Sequence, residues 1–106
     1  MKKDPRIDRL VVLSALVRDH RLGQLTMAIA QRDRLAALRD GLVAATSDDP
    51  AALQAQATHG IWVERQREAL ARRIDKQNAE VAQRLSTARS AFARADVVAK
   101  LRDQLS

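Results

Sequence analysis

Two prolines, each directly after an aspartate, constrain this chain more than any other feature of its 106 residues. Asp4-Pro5 and Asp49-Pro50 each set a side-chain acceptor before a residue whose φ already suits a helix and whose missing N–H a first helical turn does not need. The residue before a proline avoids the αR region, so each step reads as a helix start. Thr46-Ser47-Asp48-Asp49 is the strong loop signal between them. The chain therefore reads as a single α-hairpin over 1–106: a helix over 5–45, a loop over 46–49 and a second helix over 50–105. So short a connection makes antiparallel neighbours.

Composition supports an all-α reading. Apolar residues make up 46% but alanine supplies much of that share, and there are one Trp, one Phe, no Tyr and three Gly. Helix formers crowd out β-branched types, which argues against an all-β or α/β domain. The absence of cysteine excludes disulfides, thiolate zinc sites and Cys nucleophiles. No apolar run approaches the ~18 residues of a membrane span. The basic start Met1–Arg6 is followed by no apolar leader core, so a cytoplasmic location is expected.

On the second helix Val63, Leu70, Ile74, Val81, Leu85, Phe92 and Val98 advance by threes, fours and sevens, with Gln77, Ala88 and Ala95 in the gaps. Two sets recur every eleven residues, a period that favours nearly straight or slightly right-handed packing. The first helix carries three offset stripes: Ile7, Leu10, Leu13 and Val17; Leu22, Leu25 and Ile29; Leu35, Leu38 and Leu42. Folding at 46–49 pairs positions whose numbers total about 95, setting Leu42 against Leu53, Leu25 against Leu70, Leu10 against Leu85 and Ile7 against Ala88. The expected fold is thus an antiparallel two-helix coiled coil. In it the second helix outruns the first after about Arg94, leaving Val97, Val98, Leu101 and Leu105 as a C-terminal helical overhang suited to docking. Gly60 leaves two readings open, an unbroken helix and a short helix over 50–58 followed by a kink.

The net charge of +6 is unevenly placed. Residues 1–22 carry a net +3 and residues 84–106 another +3, while 23–83 cancel. In a hairpin both excesses meet at the open end and act as one field suited to binding, which leaves acidic partners, nucleic acid and anionic lipid open. His20 and His59 are far apart and make no metal or acid–base pair, and Asp48-Asp49 is explained as a helix cap. No phosphate loop or nucleophile motif occurs, so neither catalysis, nor a cofactor, nor a small-molecule substrate is expected. Basic groups without stacking aromatics or a helix-turn-helix spacing argue against nucleic acid. Glu68–Arg72 and Glu80–Arg84 read as i,i+4 surface pairs. Trp62 sits about 80° off the stripe of Val63 and Leu70 and has two readings. It is either a cover for Leu35 or Leu38 or an exposed anchor for a partner.

From Trp62 onward the chain resembles FliJ, the soluble coiled-coil component of the bacterial flagellar export apparatus, and injectisome stalk proteins of the YscO type. The likeness lies in Trp62-Val63, Arg73-Ile74-x-x-Gln77, Val81, Arg89-x-x-Phe92 and Lys100-Leu101-Arg102-Asp103. A basic first helix beginning near Ile7 and an interrupting loop fit as well. The resemblance implies a non-enzymatic stalk for motility, working in type III protein export at the cytoplasmic face of the inner membrane and touching the membrane only indirectly. The paired termini would enter a hexameric export ATPase, here through Arg6, Arg9, Arg94, Val98, Lys100, Leu101 and Arg102. The early second helix would touch the export gate protein FlhA through Trp62, Gln66, Ala69 and Arg73, and export chaperones would be further partners. Gln66 and Arg73 depart from the residue types the family has there, and the chain is shorter than typical members. The alternatives are a generic coiled-coil adaptor and a small basic nucleic-acid-binding protein.

Overall fold

The computed structural model describes residues 4–43 and 48–105. It is all-α, with α1 over Pro5–Asp40, a 3-10 turn over Pro50–Ala52, α2 over Leu53–Leu105 and no strand among the described residues. Both Asp-Pro steps are helix starts. The Arg6 N–H donates to Asp4 Oδ1 at 2.9 Å, and the Ile7 N–H donates to the Asp4 carbonyl at 3.1 Å. The Ala51 N–H likewise donates to Asp49 Oδ1 at 3.0 Å, with Asp49 in an extended conformation before Pro50.

The first helix ends earlier than expected. Gly41 closes it with an N–H bonded to the Ala37 carbonyl at 3.0 Å, and Leu42 and Val43 are outside it. A glycine costs a helix about 1 kcal/mol relative to alanine, which makes Gly41 the weak point of that turn. Residues 44–47, the first half of the expected loop included, lie outside the described residues. α2 runs unbroken through Gly60, so the kink is not formed. A Cβ built on Gly60 would meet nothing within 4 Å, so no close approach there demands a glycine.

The chain divides into two compact units, Met1–Ile29 with Glu80–Ser106, and Ala30–Ala79. In the first, hereafter the terminal unit, the buried and half-buried residues of α1 include Ile7, Val11, Ser14, Arg18, Arg21, Leu25 and Ala28. These alternate in steps of four and three, the heptad spacing of a helix that presents one seam to a neighbour. On α2 the same steps run through Val81, Arg84, Ala88, Ala91, Ala95 and Val98. In the second, the turn unit, Arg32, Leu35 and Arg39 continue the pattern on α1 against Val63, Leu70, Ile74 and Gln77 on α2.

Contacts inside each unit correct the register. An Arg84 guanidinium nitrogen donates to Gln24 Oε1 at 3.4 Å, the Arg18 guanidinium lies 5.6 Å from the Phe92 ring centroid, and Arg67 Nη1 donates to the Leu42 carbonyl at 3.0 Å. The numbers of these pairs total 108, 110 and 109, against the expected 95. Leu42 therefore meets Arg67 and not Leu53. Leu10 lines a groove with Ala93, Arg94, Val97 and Val98 and not with Leu85, and within the terminal unit the same register displaces Ile7 from Ala88. Twelve residues separate α1 from α2, more than the expected four, so the connection is long enough for the seam to decide the pairing.

The overhang is corrected with it. Residues after Arg94 have partners: Ala95 is buried, Val98 half-buried, and Val97 and Val98 share a groove with Leu10 and Leu13. Val97, Leu101 and Leu105 are exposed, as expected. The eleven-residue period also gives way. Val63 and Ile74 are buried and Leu70, Val81 and Leu85 half-buried, but Phe92 is exposed because Ala91 takes the seam beside it. The eleven-residue step gains four places on a heptad seam each time, and by Phe92 it has left it.

Candidate partner-binding surface

The seam of α1 holds what a sequence reader assigns to solvent. Arg18, Arg21, Arg32 and Arg39 are half-buried there, while Leu10, Val12, Leu13, Leu16, Val17 and Leu22 are exposed. Arginine tolerates such a site by laying its stem along apolar neighbours and keeping its head in water. Three of these heads bond to the aspartate that follows: Arg18–Asp19 at 3.1 Å, Arg32–Asp33 at 3.2 Å and Arg39–Asp40 at 3.2 Å. Exposed pairs of this kind contribute only about 0–1 kcal/mol, so they accommodate the arginines without driving the fold. In the terminal unit the register sets Arg18 and Arg21 opposite Ala91 and Ala88. Long stems against small side chains fill a seam without voids.

The consequence is an open apolar groove in the terminal unit. Leu10, Leu13, Ser14 and Val17 of α1 and Ala93, Arg94, Val97 and Val98 of α2 line about 450 Å³. Leu10 is 51% and Leu13 57% exposed. Full burial of such a side chain contributes about 1.5–3 kcal/mol, so covering these half-exposed ones would contribute about 1 kcal/mol each. Away from the groove, the Arg18 guanidinium covers Phe92 in a cation–π contact. A second shallow notch on α1, lined by Asp8, Arg9, Val12 and Leu13, extends the apolar surface.

The residues expected to meet an ATPase all fall in this unit. Arg6 pairs with Asp4 at 3.3 Å, Lys100 with Asp96 at 2.9 Å and Arg102 lies 3.9 Å from Asp103. Arg9 and Arg94 are exposed and enter no ion pair among the described residues. Val98 lines the groove and Leu101, one turn on, is exposed. The Asp4 carboxyl is held below its ordinary value by the Arg6 backbone N–H first and the Arg6 side chain second.

The expected gate patch lies in the turn unit. Trp62, Gln66 and Arg73 are exposed and Ala69 half-buried, one stripe beside the seam. Trp62 is 50% exposed and stacks on His59, with centroids 5.7 Å apart and planes at 21°. It lines a notch with Ala51, Gln54, Ala55 and Thr58. Leu35 is buried and Leu38 is exposed. Gln56 Oε1, six residues before Trp62, is shielded from solvent and accepts no hydrogen bond among the described residues. Of the surface pairs, Glu80–Arg84 forms at 2.8 Å, and Glu68–Arg72 is not among the ion pairs of the described residues.

The groove-lining Leu10, Leu13, Val17 and Ala93 are what sequence reasoning missed as a surface, whereas Val97 and Val98 were expected to be exposed for docking and Val97 is. The available signal was the alternating step of four and three through Ile7, Val11, Ser14, Arg18, Arg21, Leu25 and Ala28, which the arginines disguise. No helix among the described residues is long and apolar enough to cross a membrane, and no group of three or more metal-ligating side chains occurs among them. No protein-family model matches this chain, and no curated protein and no solved structure does either.

Proposed function

We propose that this protein is a FliJ-like, non-enzymatic stalk in flagellar protein export: an antiparallel two-helix coiled coil that engages a hexameric export ATPase and couples it to the export gate at the cytoplasmic face of the membrane. One observation carries this reading. The terminal unit gathers Arg6, Arg9, Arg94, Lys100 and Arg102 from the outer parts of both helices around exposed Leu10, Leu13, Val97 and Leu101. A basic, apolar surface of that kind steers and then holds a partner rather than a small substrate. The half-exposed Trp62 with Gln66, Ala69 and Arg73 is the proposed FlhA contact, and the sequence resemblance supports both assignments.

Mixing the full chain with the export ATPase of the same organism tests it. Ring assembly followed by electron microscopy and hydrolysis followed by phosphate release should both rise. Unchanged assembly and hydrolysis over a range of stalk concentrations removes the reading.

A further inference from the structure

We propose that the groove of the terminal unit seats a single amphipathic helix whose apolar stripe is flanked by acidic residues, making a third helix against α1 and α2. The inference rests on the reading of this unit as a docking end and names the chemistry of what docks.

The floor is apolar and open, formed by Leu10, Leu13 and Val17 on one side and Ala93, Val97 and Val98 on the other. Leu10, Leu13 and Val17 lie at steps of three and four, and Ala93 with Val97 and Arg94 with Val98 at steps of four, so each wall runs along a helix axis. A furrow between two helices matches the stripe of a third, read as anchors at i, i+3, i+4 and i+7. A flat lipid surface matches such a furrow less well.

Charge selects the occupant. Arg94 is the one charged residue among the eight that line the groove. Arg6 lies one turn before Leu10 on the same stripe of α1, and Arg9 lies between that stripe and Val12. Neither Arg9 nor Arg94 enters an ion pair among the described residues, so both are available to a carboxylate. The unit as a whole carries eleven basic and six acidic residues, so a second copy would bring like charge to like. An acidic helix meets this rim with complementary charge, which raises its association rate and excludes basic competitors.

The test uses the full chain and two fluorescent three-heptad peptides, both with Leu at a and d, one with Glu and one with Lys at e and g. Fluorescence anisotropy should show the Glu peptide binding and the Lys peptide not. Leu13→Glu and Val97→Glu should each weaken binding about tenfold or more, while Met27→Glu, exposed but off the groove, leaves it unchanged. Arg94→Glu should reduce the preference for the Glu peptide. Circular dichroism of each variant checks that the helices persist; these side chains are solvent-exposed, so they should. Equal binding of both peptides, or of neither, overturns the proposal. So does a dimer in sedimentation that Leu13→Glu dissociates, or flotation with phosphatidylserine vesicles that Leu13→Glu abolishes. Peptide binding without ATPase stimulation refutes the export reading alone, and stimulation without peptide binding refutes the acidic helix alone.

Discussion

The two units are similar in length but spend their large side chains in opposite ways. The turn unit buries Leu35, Val63 and Ile74, while the terminal unit buries Leu25 with Ala28, Ala88, Ala91 and Ala95. Among the described residues, eleven large apolar side chains are exposed in the terminal unit and five in the turn unit. Isolated exposed leucines are ordinary, but a contiguous set along a groove marks an interaction surface. The turn unit thus uses its aliphatic residues for its own stability. The terminal unit closes its seam with alanines and arginine stems and leaves its leucines exposed, as the surface proposed above for docking.

The largest test of that contrast is a pair of truncations. Leu35→Ala, at a residue 3% exposed, should cost about 2–5 kcal/mol in urea unfolding, whereas Leu13→Ala should stay within about 0.5 kcal/mol. Equal losses would erase the distinction between the units. Next in size is Ala91→Leu. Overpacking a close alanine seam should cost about 1–3 kcal/mol by the same measurement, and a stabilising result would show that the seam has room. The smallest effect belongs to the start of α1. The Asp4 carboxylate contributes to stability above its ordinary pKa of 3.8, and that contribution is lost as pH falls through its depressed folded value. The protection of the Arg6 and Ile7 amides, relative to their unfolded exchange rates, should therefore fall only on acidification below the ordinary value, and should not change with pH in Asp4→Asn.

Much of the architecture was legible from the residues. Asp4-Pro5 and Asp49-Pro50 begin helical structure because cap and ring act locally. The end of α1 was placed at residue 45 from the loop signal, whereas the helix stops at Asp40, before the glycine that costs a helix most after proline. Leu10, Leu13 and Val17 were misassigned to the core, since hydrophobicity alone cannot tell a buried stripe from one awaiting a partner. Of the candidate site, the charged residues were found by counting, and the groove they surround was not.

Sequence alone determined that this chain is helical, where each helix begins and that positive charge gathers toward residues 1–22 and 84–106, because capping, propensity and charge are properties of neighbours in the chain. Which face of α1 enters the seam, and opposite which residue of α2, was decided only by the tertiary structure. Between Ile7 and Val17 the helix is apolar around most of its circumference and offers several stripes at similar cost. The choice among them falls to the shape of the opposing surface, where Ala88 and Ala91 leave room for the stems of Arg21 and Arg18.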